Sequence, residues 1–359
     1  MTRLGRDLAA LRRRTPARLG GIDAFRGCAV LGMLLVHAER VFPPGAGASS
    51  EPWRLLLQHC EPFVSACFLF LVGLSLTLAW DRFRGDTDRS GFYRRGWRRA
   101  GVLYVAGVAL FVLQYGLQLP DALLSPDILS AIALAIVGVG ALIPQRPLVL
   151  WSSWAGVLGI SWALDSAQLG LSGLNAGPGG SVPLVAFACA GAAWGLVRRA
   201  HSEMRVVALV GVALLVSVLA WGLPGEITTE YASVYALGAT NELTTVWFWN
   251  HTPKGVLVLS GPLALCGLSF TTLPKLWSSS WVSPVRLLGR HALVVYVGHL
   301  LALGALDRWL RPTLGTVPLS TAMLMLMLVA SCCAVALLLE SVAGQPLKRR
   351  FLRRVGTRL

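Results

Sequence analysis

Ten runs of apolar residues alternate with short polar segments along this chain, at 21–42, 57–80, 97–118, 127–144, 147–165, 182–198, 204–223, 254–274, 285–307 and 319–343. A helix of ~20 apolar residues crosses a hydrocarbon layer of ~30 Å. The pattern therefore predicts an all-α, polytopic integral membrane protein of about ten transmembrane helices. Only Pro144 to Pro147 parts the fourth run from the fifth, and a merged or re-entrant pair there would change the count.

The polar segments between the runs are sorted by charge. Of the 32 Lys and Arg, 26 fall in the two tails and every second loop, five fall in the alternate loops, and Arg26 lies inside the first run. The positive-inside rule then places both termini in the cytoplasm. The first twenty residues carry six arginines and lack the apolar region and cleavage site of a signal peptide. The expected organisation is a basic cytoplasmic tail at 1–20, a single transmembrane domain at 21–345 and a second basic tail at 346–359, in a multi-pass protein of the inner cell membrane.

Composition agrees: 55% of residues are hydrophobic and 14% charged, and mean hydropathy is +0.64. The net charge of +15 would suggest nucleic acid in a soluble protein, but its sorting by loop points to the bilayer as partner and away from nucleic acid. The seven cysteines lie in or beside apolar runs without metal-ligand spacing, so they read as small core residues, with neither a metal site nor a disulfide framework. The longest external loop, roughly 224–253, holds Glu226, Glu230, Trp247, Trp249, Asn250 and His251. It reads either as a binding lid or as an interfacial aromatic belt.

Candidate chemistry sits inside the membrane. Arg26 and His37 share the first span, with ten residues between them and Asp23 just before. A charge at bilayer depth costs at least ~2.5–3.5 kcal/mol, and on one helix the two side chains are ~16 Å apart along the axis. That spacing suits a bound molecule whose charged head enters from one side while its reactive end reaches toward the other. His37 can take a proton from an attacking group near neutral pH; the plainer reading is a polar link between helices. Asp23 can pair with Arg26 on one helix face. The ninth run repeats the layout, with Arg290 near the cytoplasm, His299 deeper, and Tyr296 on the face of His299. Glu61 and His59 open the second run, where a carboxylate could orient a histidine. Asp127 reads most simply as a helix cap.

Several of these residues fall in recognisable patterns. Gly21-Ile22-Asp23-Ala24-Phe25-Arg26-Gly27, followed after ten residues by His37, resembles the opening of the transmembrane acyltransferase superfamily. Phe68-Leu69-Phe70-Leu71-Val72-Gly73-Leu74-Ser75, Asp127 to Ile132, Asn250-His251-Thr252-Pro253-Lys254 and Leu288-Gly289-Arg290-His291-Ala292-Leu293 with Tyr296 and His299 are similar to elements of its heparan-alpha-glucosaminide N-acetyltransferase-like branch, which is related to the acyltransferase-3 proteins. The "K-H-x-S-W" context of that branch's catalytic histidine is missing here, and lysosomal members carry Asn in place of His37.

The resemblance implies a membrane O- or N-acyltransferase using cytoplasmic acyl-CoA, most simply acetyl-CoA, as co-substrate. Arg26, Asp23, Arg290 and Tyr296 would bind the donor, its arm passing the small residues Gly27 and Gly32. His37, His299 and Glu61 would serve catalysis, and the acceptor would be a hydroxyl or amine of a carbohydrate or other small molecule outside. A homo-oligomer is compatible with this scheme. A transporter or flippase for a small anion or lipid-linked sugar would use the same buried charges; a binding or assembly partner would show no turnover.

Overall fold

The structure, a computed structural model, describes residues 20–41, 51–83, 90–117, 119, 121–124, 127–144, 147–167, 169, 171, 173–175, 180–200, 203–237, 243–305 and 321–344. The tails, apart from Gly20, lie outside these, as does His201.

Among the described residues, eight helices precede a hairpin: α1 (Gly20–Val41), α2 (Glu51–Phe83), α3 (Ser90–Tyr115), the short α4 (Asp121–Leu124), α5 (Ile128–Leu142), α6 (Pro147–Ser166), α7 (Ser181–Ala200) and α8 (Glu203–Trp221). Strands β1 (Thr228–Leu237) and β2 (Leu243–His251) follow, then α9 (Pro253–Thr272), the short α10 (Pro274–Ser278), a 3₁₀ turn at Ser280–Val282, α11 (Ser283–Arg290), α12 (Ala292–Ala305) and α13 (Thr321–Gly344).

Every expected apolar run contains a helix, but not all of them are simple spans. Among the described residues, seven helices are long and apolar enough to cross a bilayer, which makes the chain a multi-pass membrane protein. The ninth run is broken instead: Ser280–Arg290 and Ala292–Ala305 meet at 75° and make an eighth span only if taken together. Helix α5 has 15 residues, or ~22 Å at the usual rise, short of a full crossing. The fourth and fifth runs stay separate helices.

Burial sorts these helices. The α1 span is 67% buried, whereas the α6 span is 11% buried. Helix α8 turns Val207, Val212, Leu215, Val218, Leu219 and Trp221 outward, a continuous apolar face that water would not tolerate and lipid favours. Helix α1 is the centre of the bundle. Phe25 stacks on Phe270 of α9 at 4.6 Å and lies 6.4 Å from Phe70 of α2.

Close helix approach depends on glycine. A Cβ on Gly27 of α1 would overlap the Val285 carbonyl oxygen of α11, and one on Gly289 of α11 would overlap that of Asp23 on α1. Gly32 is similarly filled, since a Cβ there would meet Val64 at 2.7 Å. Gly27 and Gly32 therefore do not open a path for a ligand, as the sequence suggested; they are spent on packing. Among the cysteines, Cys67, Cys189 and Cys332 are buried as expected, but Cys28 is exposed, on a face of α1 turned from the core.

The 224–253 segment departs from the helical pattern. Thr228↔His251 through Leu237↔Leu243 pair as an antiparallel ladder with an irregularity between Val234 and Ala236. The signal was present in the sequence: both strands are rich in Thr, Val and aromatic residues, which suit a pleated, half-buried surface.

Candidate functional site

Helix α12 runs in the same sense as α1, because Arg26 and Arg290 meet at one level and His37 and His299 at another. The Gly27–Gly289 contact brings Arg26 and Arg290 onto one carboxylate. Arg26 Nη1 is 3.5 Å from Asp23 Oδ1, Arg290 Nε is 3.5 Å from Asp23 Oδ2, and the two arginine side chains are 27% and 36% exposed. Asp23 itself is buried. Arg26 also donates to the Gly289 carbonyl oxygen and to Ser75 Oγ of α2, each at 3.3 Å. One buried acid thus holds two guanidinium groups side by side, with their outer faces on a cavity.

At the other level, His37 Nδ1 lies 2.8 Å from His299 Nε2, with the rings stacked at 5.0 Å. His299 is fully buried, and its Nδ1 is 3.1 Å from the Val295 carbonyl oxygen. A carbonyl oxygen only accepts, so His299 Nδ1 carries a proton. With both rings neutral, His299 Nε2 accepts from His37 Nδ1–H, and the basic lone pair of His37 falls on Nε2.

Tyr296, one turn before His299, donates to Asp127, with 2.6 Å to either carboxylate oxygen. Asp127 also caps α5, accepting from the Ile128 amide at 2.6 Å. The cap reading therefore holds, and the same carboxylate anchors the tyrosine.

One cavity of about 750 Å³ joins these groups. Arg26, Ser75, Gly289 and Arg290 line one end; Tyr296, Asp127, Phe68 and Ile132 line its walls; and His37, Pro62, Ser65, Thr228 and His251 line the other end. Ser65 and Ser75 are ~15 Å apart along α2, which sets the scale of the passage. His299 is not among the lining residues. It stands behind His37, so the two histidines of the paired ladders occupy different positions. Glu61 lies on α2, but its side chain and that of His59 fall outside the described residues.

The sequence reading did not single out His251 or Ser65 as site residues. His251 Nε2 is 2.8 Å from Ser65 Oγ, and Phe187 meets the ring edge-on at 4.9 Å. The root of the hairpin fixes this histidine. Thr252 accepts from the Gly255 amide and donates to the Glu226 carbonyl oxygen at 2.6 Å, while Lys254 Nζ ties down the Leu223 and Gly225 carbonyl oxygens at 2.7 Å each. Nothing in a one-dimensional pattern links positions 65 and 251.

Burial pushes the His251 imidazole down to about 4, below its ordinary value near ~6.5. Above ~6.5 the ring is neutral folded or unfolded and contributes nothing to the pH dependence. Between that value and about 4 only the unfolded chain takes the proton, so stability is lost as pH falls. The full effect is on the order of 3 kcal/mol. Thermal unfolding in detergent between pH 7 and 4.5 is expected to show a fall that His251→Gln flattens; an equal slope in both proteins would contradict it.

The family model for heparan-alpha-glucosaminide N-acetyltransferase, catalytic, matches residues 18–177. The match covers less than half of the chain, and over that stretch the chain is similar to that family. The matched stretch holds Asp23, Arg26, His37, Ser65, Ser75 and Asp127. Gly289, Arg290, Tyr296 and His299 lie beyond it and meet those residues across the helix interfaces. No curated protein matches the chain. Among the described residues no group of His, Cys, Asp or Glu is arranged to hold a metal ion.

Proposed function

We propose that this protein is a membrane acetyltransferase. Residues 21–345 form one membrane domain in the inner cell membrane, whose ten crossings count the short α5 as one and the broken α11–α12 pair as one, and the basic tails 1–20 and 346–359 both lie in the cytoplasm. Acetyl-CoA enters from the cytoplasm, and its phosphates are met by Arg26 and Arg290, whose planar forks suit such groups. Its thioester reaches His37, whose Nε2 takes the proton of an attacking hydroxyl or amine as the carbonyl carbon gains the acceptor and the thiolate leaves. Asp23 orients the two arginines, and Tyr296 is a wall of the passage held in place by Asp127. The acceptor, a carbohydrate on the far side, meets the thioester at the histidine end.

The observation that carries this reading is the single cavity with paired arginines at one end and a tautomer-fixed histidine at the other. The test is transfer from radiolabelled acetyl-CoA to a panel of sugars by the purified protein in detergent. Arg26→Gln and Arg290→Gln are each expected to raise the KM for acetyl-CoA by about tenfold, as expected for one charge-assisted contact to phosphate. Unchanged KM in both variants would remove the arginines from donor binding.

The break between α11 and α12 favours a second reading, because discontinuous helices also build transporter sites. A transporter would move a labelled anion or sugar across a vesicle membrane without releasing CoA. The acetyltransferase releases CoA and leaves labelled product.

A further inference from the structure

We propose that Ser65 and His251 form the acceptor subsite, which takes a neutral ligand rich in hydroxyl groups, a sugar or related polyol. The word acceptor rests on the acetyltransfer reading; the binding itself does not. The two residues are 186 positions apart in sequence and come together on the cavity wall at 2.8 Å. Neither is needed to hold the arginines or the His37–His299 pair.

Their hydrogen-bonding state selects the ligand. Ser65 donates its proton to the Pro62 carbonyl oxygen at 3.1 Å. With that proton on Pro62, His251 carries its own on Nε2, directed at Ser65 Oγ; with the serine proton turned to Nε2 instead, the ring carries its proton on Nδ1. That Nδ1 is buried and has no hydrogen-bond partner in the structure. In either arrangement the Ser65–His251 pair on the cavity wall is neutral, and ligand hydroxyl groups, which both donate and accept, suit it. Arg26 and Arg290 lie at the opposite end, roughly 15 Å away along α2, so among the described residues of the cavity wall an anion finds no cation here. His251 stays neutral above about 4 and supplies none. Pro62 and Phe68 line the neighbouring wall and suit the C–H face of a pyranose.

The test uses the full chain in lipid nanodiscs and methyl β-D-glucoside bearing a diazirine on its aglycone. Photolabelling followed by peptide mapping is expected to mark the segments containing Ser65 or His251, to be displaced by excess methyl β-D-glucoside, and to fall by about tenfold in Ser65→Ala and His251→Phe. Label confined to other segments, label that the free glycoside does not displace, or label unchanged in both variants would overturn the proposal. The mapped position in the unaltered protein decides the matter even if a variant fails to fold. Displaceable label at this pair in a protein that never releases CoA from acetyl-CoA would leave the subsite standing and remove the acetyltransferase reading.

Discussion

His37→Ala lowers the turnover of acetyl transfer by roughly a hundred- to ten-thousand-fold, the usual contribution of a positioned general base, with a much smaller effect on the KM for acetyl-CoA. On the proposed reading Arg26, ~16 Å away along α1, and Arg290 hold the donor's charged end, so binding survives while proton removal fails. His299 acts through His37, and its variants should separate by chemistry. In His299→Gln an amide oxygen can still accept from His37 Nδ1–H; in His299→Ala nothing can. The glutamine variant is expected to retain more activity, and both should shift the acidic limb of the pH–rate profile, a change that packing damage alone would not produce. Removing both histidines should cost little more than removing His37, because residues that act as one unit are not additive. Full turnover in His37→Ala would exclude it as the base.

Gly289→Ala should be among the most damaging single-methyl changes for the fold. The added Cβ would overlap the Asp23 carbonyl oxygen and stand 2.8 Å from the Gly27 amide nitrogen. Both are backbone atoms, so no side chain can turn away and α11 must separate from α1. Overpacking of this kind costs about 1–3 kcal/mol, or a fall in melting temperature of roughly 5–10 °C in detergent. The separation would also pull Arg290 from Asp23, so acetyl-CoA binding should weaken together with stability. Gly138→Ala provides the contrast. Its Cβ would meet nothing within 4 Å, and relief of the helical penalty of glycine makes it neutral or stabilising by up to ~1 kcal/mol. Equal melting temperatures for the two variants would show that the α1–α11 contact does not carry the fold.

How far the site could be read in advance varies residue by residue. Arg26 and His37 stood out because ionisable side chains in an apolar run are expensive, and Arg290 with His299 repeated their spacing. The meeting of those two ladders is what their common depth suggested. Their unequal roles were not legible, because which histidine faces the cavity depends on helix rotation. Gly27 looked like room for a ligand because a small residue in a span signals either a passage or a close contact, and only the position of Val285 separates the two. The hairpin was overlooked for a different reason: its Thr, Val and Trp alternation sat between strong apolar runs and was read as loop.

The amino-acid pattern alone determined that this is a multi-pass, mostly helical membrane protein with costly polar residues in its first and ninth apolar runs, because burying backbone in lipid leaves little alternative to helices. Which side chains became partners was decided only by the tertiary packing. Asp23 between Arg26 and Arg290, Asp127 under Tyr296, and Ser65 against His251 join positions far apart in the chain through short-range hydrogen bonds. Such bonds depend on ångström-scale helix contacts, and those contacts were set by glycines whose neighbours no sequence period records.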